Sequence, residues 1–446
     1  MVRNIMGRLS RISKRGLSEA LRKAGLDGRW DIVRDGSFLF WSGVSGRIVS
    51  GAGAFLVAVL YGAEAFAAYS VYLAITAICA AGVTGGFDLA IPSHRAQCGV
   101  SGQLAALGLI ATVVISTIVT LTFAVAVNFF DGPSVSSLLV DLVPLIFVAL
   151  LSRGGGRVMT ACAVRDSRFQ LVAVGNVLLS VALIGGQVAL VYTGMPGHVG
   201  LALGDAMANA VLAFVLLFRQ KAAIGIALRR TMMLTRSFIV LRKWAQLPVY
   251  GVPGQLVTMA LEQSPVWLLA PFLAPAQLGA MALAMRACDI PRQLIVLSLS
   301  GLAYRETVAS SSGARVQTAR RFARITNLLA PPLILASVTG VMVFDVLVKG
   351  EWDGVSLHAL SLAPFYTVMA LSGPMYFVYV VLSMQRRFFL FQSIIVFMVL
   401  SGVCFGQFWL GGYELILCFS ISGALGALLV KWDVHMQIPR LESSGK

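Results

Sequence analysis

Charged residues are scarce in this chain, and acids are scarcer than bases. Only 12% of the 446 residues are charged, with 35 Lys and Arg against 19 Asp and Glu. A soluble domain is about 25% charged, so an ordinary water-facing surface is excluded. The four histidines are scattered, and the six cysteines (Cys79, Cys98, Cys162, Cys288, Cys404, Cys418) show no CxxC spacing. They read as small apolar packing residues, and neither a metal nor a cofactor is expected. There is no GxxxxGK[ST] loop, no HExxH and no GxSxG, so ATP use by a P-loop and the common hydrolytic sites are excluded. The first thirty-odd residues lack the apolar core and small-residue cleavage site of a secretory signal.

What remains is apolar. The chain is 58% hydrophobic with a mean hydropathy of +0.85. About twelve segments are long enough to cross a bilayer, which takes roughly 20 helical residues. They lie near 37–61, 65–91, 103–130, 137–160, 168–194, 198–219, 248–273, 276–303, 323–348, 356–384, 388–410 and 412–432. Lys and Arg crowd the N-terminal tail (Arg3 to Arg34) and the connections after even-numbered segments. Those connections hold Arg95, Arg153 to Arg168, Arg219 to Lys243, Arg305 to Arg324, and Arg386 with Arg387. Loops rich in Lys and Arg stay cytoplasmic, so both termini are expected inside. The net charge of +16 is spread over many short loops. It points to anionic inner-leaflet lipids, not to nucleic acid.

The expected organisation is a basic tail (1–36), a first lobe (37–219), a basic cytoplasmic linker (220–247), a second lobe (248–432) and a short cytoplasmic tail (433–446). In the tail, Ile5, Leu9 and Ile12 recur at helical spacing among basic residues. An amphipathic surface helix and an unstructured orienting tail both fit that pattern. The outward turns are very short (Gly62-Ala63-Glu64, Asp131 to Ser134, Gly194 to Gly197, Ala274-Pro275). None can carry an active site, so no enzymatic activity is expected, and an integral-membrane polymerase is disfavoured. Tyr61 to Ile75 resembles Phe272 to Arg286, each at an outward turn entering the second span of its half. Parallel repeats of this kind occur in transporters, with substrate sites between the halves. Ser42, Gly46, Ser50 and Ala54 line one face of the first span for close helix packing. Pro248, Pro253, Pro265, Pro275 and Pro291 favour breaks or kinks in spans seven and eight.

A few charges fall inside the spans. Arg47 and Arg286 are each about ten residues from a span end, near mid-bilayer at 1.5 Å per residue. A central Arg costs about 2.5–3.5 kcal/mol on insertion scales, so each should face a wet cavity or a partner. In one reading Arg47, Arg286 and Arg292 bind an anionic head group. In the other, Arg286 pairs with Glu262 or Asp289 and ties helices together. Glu262, Asp289 and Asp205 are candidates for ion coupling, with Gln255 and Gln263 lining the same cavity. Asn176, Gln187, Gln255 and Gln263 suit either sugar contacts or interhelical hydrogen bonds. Asp88 reads as an interfacial cap or salt-bridge partner near His94 and Arg95.

Stretches in order along the chain resemble the Wzx-type flippases of O-antigen and exopolysaccharide synthesis. These belong to the superfamily that also holds the MATE antiporters and lipid II flippases. The resemblance is carried by Tyr61 to Gln97 (YGAEAFAAYSVYLAITAICAAGVTGGFDLAIPSHRAQ), by Arg165 to Gly204, by the Pro-rich stretch Trp244 to Ser310, and by Gly350-Glu351-Trp352. It implies an all-α polytopic membrane protein, about twelve transmembrane helices in two six-helix lobes around a central cavity. It also implies transfer of a polyprenyl-pyrophosphate-linked oligosaccharide from the inner to the outer leaflet of a bacterial inner membrane. A polysaccharide polymerase and a chain-length regulator are the implied partners. The family has no invariant site motif to carry over, and Glu262 departs from its pattern. The alternatives are an ion-coupled multidrug or small-solute antiporter, and a non-transporting scaffold for polysaccharide enzymes.

Overall fold

The computed structural model describes residues 30–91, 98–129, 140–166, 168–231, 247–348, 350, 352, 354–382, 384–409 and 413–443. The described residues are almost wholly helical and contain no strand. In chain order the helices are α1 (Trp30–Tyr61), α2 (Ala63–Gly82), α3 (Cys98–Phe129), α4 (Val143–Arg165), α5 (Phe169–Val191) and α6 (Gly197–Thr231). The second half has α7 in two pieces (Val252–Glu262 and Ser264–Leu269), α8 (Pro275–Ala309) and α9 (Ser312–Leu347). It continues with α10 (Val355–Ser372, extended by Phe377–Val381), α11 (Gln385–Trp409) and α12 (Tyr413–Gln437). Among the described residues, nine helices are long and apolar enough to cross a membrane. The segments outside that set are α1, α7 and α8, which carry the central charges and the breaks.

The two halves repeat one packing scheme. In the first, α1 packs on α5, α5 on α6, α6 on α4, and α4 on α2 and α3. In the second, α7 packs on α11, α11 on α12, α12 on α10, and α10 on α8 and α9. The halves meet through α2 against α8, with α1 against α8 mirrored by α7 against α2. These are the contacts expected of parallel repeats about an axis along the membrane normal. Leu121 and Val125 on α3, with Phe397, Phe405 and Phe408 on α11, are all more than half exposed. An apolar surface of that kind is suited to lipid, not water.

The prolines act where expected in α7. A π turn (Leu247–Gly251) leads into the helix, which breaks at Gln263 and resumes with Pro265 in its first turn. The carbonyls freed there are taken up locally. Ser264 Oγ donates to Leu261 O (2.6 Å) and Trp267 Nε1 to Ala260 O (2.8 Å). Pro291 does not break α8. Its missing N–H frees the carbonyl of Ala287, four residues back, and Ser337 Oγ of α9 donates to that oxygen (2.5 Å).

Several boundaries differ from expectation. The second span ends at Gly82 instead of near residue 91, because Gly85 and Gly86 adopt positive φ (62° and 75°). Helix α6 continues past the expected lobe boundary at 219 as far as Thr231, since QKAAIGIALRR is rich in good helix formers. The supposed loop from Arg305 to Arg324 is mostly the ends of α8 and α9, leaving only Ser310 and Ser311 between them. The amphipathic-tail reading, Arg95 and the turn Asp131 to Ser134 lie outside the described residues.

The halves touch closely where α2 begins against α8. A Cβ added at Gly279 would sit 2.0 Å from Ala63 O, backbone against side chain with nothing to give way. Gly279→Ala is therefore expected to wedge α8 off α2. Overpacking of this kind costs about 1–3 kcal/mol, which a lowered melting temperature of the purified protein would register. An unchanged melting curve would show that this contact is not firmly packed.

Candidate functional site

Helix α8 crosses the middle of the molecule and carries Arg286, Asp289 and Arg292 on neighbouring turns. Arg292 is 5% exposed. Its Nη1 donates to Glu262 Oε1 (2.9 Å) at the break in α7, and its Nε to Asp289 Oδ1 (2.5 Å). Gln293 Nε2 also donates to Asp289. The alternative that Arg286 ties these acids is thus replaced: Arg292 holds both. One guanidinium forks between two carboxylates, joining α7 to α8 inside the second half.

Arg286 has different surroundings. Its guanidinium lies over the rings of Phe66 (4.5 Å) and Tyr69 (4.9 Å) of α2. Among the described residues no carboxylate contacts it, and its Nη2 is buried without a hydrogen-bond partner. The Tyr69 hydroxyl accepts from Gln187 Nε2 (2.9 Å), which also donates to Leu201 O (3.0 Å). Gln187 therefore serves as interhelical glue and steadies the ring under Arg286. Burying a cation is expensive unless it is paired. Two aromatic faces offset part of that cost, worth about 0.5–2 kcal/mol.

Arg47 is exposed. It shares a face of α1 with Gly51 one turn on, and a Cβ at Gly51 would strike Ile290 of α8. Arg47 therefore points toward α8, within electrostatic reach of Asp289, Glu262 and Arg292. Two acids and two arginines balance there, whereas Arg286 has in electrostatic reach, among the described acids, only Asp205, itself paired with Arg153.

The first half has its own polar core, which the sequence reading missed. Arg153 and Arg157, expected in a cytoplasmic connection, lie inside α4. Arg153 Nη2 donates to both oxygens of Asp205 (2.8 and 3.1 Å), which also accepts from the Tyr72 hydroxyl (3.3 Å) and Asn209 Nδ2 (3.2 Å). Asp205, on α6, is thus already paired. Arg157 binds Asp88 (Nε to Oδ2, 3.1 Å) and Ala80 O (2.8 Å), and reaches Gln255 Oε1 (2.9 Å) in the other half. Asp88 thus has Arg157 and Thr84 Oγ1 (2.7 Å) as partners; His94 and Arg95 lie outside the described residues. These groups border a cavity of about 500 Å³ lined by Ser152, Arg153, Arg157, Thr160, Asp88 and Asn209 among others. Gln263 caps the first piece of α7 through its backbone N–H and is half-buried.

At the end that holds the start of α2 the halves are closed by rings. Phe55 meets Phe344 (5.0 Å), Phe66 meets Trp352 (5.8 Å), and Phe344 meets Trp352 (6.2 Å). Phe55 and Phe66 come from the first half, Phe344 and Trp352 from the second. Among the described residues no cluster of His, Cys, Asp and Glu fit for a metal ion is present.

No protein-family model and no curated protein matches this chain. Its fold is similar to solved structures of MATE transporters of the MOP superfamily. An inward-facing multidrug resistance MATE transporter aligns with a TM-score of 0.66 at 16% identity, over 90% of this chain and 96% of that one. An outward-facing MATE transporter aligns with 0.57 at 14% identity, over 92% and 96%. A MOP superfamily transporter from Pyrococcus furiosus aligns with 0.57 at 13% identity, over 92% and 96%. The likeness shows the fold, two bundles of six helices about a central cleft.

Proposed function

We propose that this chain is a transporter that moves a polyprenyl-pyrophosphate-linked oligosaccharide from the inner to the outer leaflet by alternating access. The observation that carries the reading is Arg286, a cation held between the halves by aromatic faces, with an open donor and, among the described residues, no acid in contact. A pyrophosphate offers that donor a charge-assisted hydrogen bond, and exposed Arg47 of α1 lies on another side of the same helix α8. The polyprenyl tail stays in lipid while the head uses the cleft, and rocking of the two repeats carries it across. A bacterial inner membrane with both termini cytoplasmic suits the substrate and the loop charges.

Fold likeness to multidrug MATE transporters favours a second reading, ion-coupled export of a lipophilic cation. The electrostatics weigh against it. Asp88, Asp205, Glu262 and Asp289 are each engaged by an arginine, so a cation would have to displace one.

The deciding experiment is the leaflet distribution of polyprenyl-linked oligosaccharide with and without this protein. Inner-leaflet accumulation on deletion, reversed by re-expression, is expected. An unchanged distribution in cells with no second flippase, together with lost efflux of cationic dyes, would replace this reading by the antiporter.

A further inference from the structure

The outward end of the second half holds a histidine that the central site does not use. His358 lies in the first turn of α10 and is 2% exposed. Among the described residues neither ring nitrogen has a hydrogen-bond partner. A neutral imidazole has one donor and one acceptor, so both are orphaned here, and native folds rarely leave such groups without a reason. Its ring lies 4.8 Å from that of Tyr413, tilted by 40°. Asp345 of α9 is within electrostatic reach of it. That carboxylate is already occupied, accepting from the Ser356 amide (3.3 Å) and the Ser356 hydroxyl.

The position is mechanical as well as chemical. Asp345 follows Phe344, and Trp352 lies just before α10, so both flank rings of the outward seal. Gly354 turns the chain between Trp352 and α10 at a φ of 82°, where an L side chain is strained. The Tyr413 hydroxyl rests where a Cβ of Gly354 would be. The Val355 N–H donates to Trp352 O (3.2 Å) and the His358 N–H to Gly354 O (3.0 Å). Whatever moves His358 or frees Asp345 therefore pulls directly on Trp352 and Phe344.

We infer that His358 is a proton-binding site loaded from the outer side, and that its protonation opens the outward seal. An imidazolium has two N–H donors and no acceptor. In the closed arrangement neither donor has a partner, and the carboxylate in reach is clasped by Ser356. The cation is satisfied when Asp345 leaves Ser356 for the ring, or when water enters from outside. Either change undoes the clasp between α9 and α10 that holds the seal. By linkage, a proton that is better satisfied in the open state shifts the population toward it. The described titratable groups around the ring are Asp345 of α9, Tyr413 and Glu414 at the start of α12, and the Cys288 thiol of α8, which donates to Ala359 O (3.8 Å). Lys349, Glu351 and Asp353 lie outside the described residues.

The inference rests on the alternating-access part of the proposed function and not on its substrate. The test follows hydrogen–deuterium exchange of the full-length protein in nanodiscs at the outward turns 62–66 and 273–279. The pH is varied from about 8 to about 5, the range in which an imidazole charges, with correction for intrinsic exchange. In the wild type, exchange at these turns is expected to rise about tenfold toward acid, within the ordinary range of coupling between two linked equilibria. His358→Gln is expected to flatten the profile. Asp345→Asn, which keeps the imidazole, is expected to weaken it. A flat wild-type profile, or an unchanged one in His358→Gln, overturns the proton site. Should His358→Gln fail to fold, an unchanged profile in Asp345→Asn overturns it instead. Lipid-linked sugar still flipped by a protein with a flat profile would sink this inference alone. A normal profile without flipping would sink the substrate reading alone.

Discussion

Replacing Arg286 by Ala is expected to abolish most transport while leaving the protein folded and in the membrane. The two effects separate because of what Arg286 touches. It has no acid partner, so its removal strands no carboxylate. The loss is the pair of cation–π contacts with Phe66 and Tyr69, about 0.5–2 kcal/mol, and it also removes an orphaned buried donor, so the net change in stability is small. Binding of an anionic head group suffers more. A hydrogen bond to a charged group is worth about 1.5–3 kcal/mol, which corresponds to roughly a tenfold to hundredfold loss of affinity. Arg286→Lys should fall between the two, because an ammonium keeps the charge but neither stacks on Phe66 nor presents a planar fork. The check is flipping by the purified protein in proteoliposomes, read beside its melting curve. Unaltered flipping in Arg286→Ala would remove the anion site. A collapse of the melting curve would show Arg286 to be a strut instead.

The spans, the tight turn at Gly62 and the broken seventh helix were legible because each rests on local chemistry. Apolar runs near 20 residues are set by bilayer thickness. The breaks in α7 follow from Pro265 and the end of α1 from Gly62, each acting within a turn of itself. The misplacement of Arg153 and Arg157 has an equally plain cause. Ser152-Arg153-Gly-Gly-Gly-Arg157 joins charge to glycine, which reads as a loop. Its partners come from other helices: Asp205 from α6, and Asp88 from the turn after α2. Nothing in the local pattern announces them. The same holds at the centre. That Asp289 and Arg292 share a face is visible from their spacing, whereas Glu262 arrives through the break in α7. The aromatic bed of Arg286 arrives through the packing of α2 on α8. Arg286 at mid-span was a legible signal, and its freedom from acids was not.

Arg292→Ala is expected to be the most destabilising single change at the site, and it separates a strut from a ligand. The guanidinium is buried and bridges Glu262 and Asp289 at 2.9 and 2.5 Å. Removing one partner of a buried ion pair costs about 3–5 kcal/mol, because the other charge is left uncompensated. Here two carboxylates are left, and among the described residues only Asp289 of the two keeps a donor, the amide of Gln293. Unfolding at a markedly lower temperature, or failure to accumulate in the membrane, is the expected outcome. The triple change Glu262→Gln, Asp289→Asn, Arg292→Gln removes all the charges together. Replacing a buried ion network by neutral groups of similar volume is often tolerated, so melting should recover most of the way. Transport by the triple variant then decides what the network does. Flipping that returns with stability marks Arg292 as the clamp between α7 and α8, leaving head-group binding to Arg286 and Arg47. Stability without flipping would return Arg292 to the anion site, with Glu262 and Asp289 as the acids it must leave when the head group arrives.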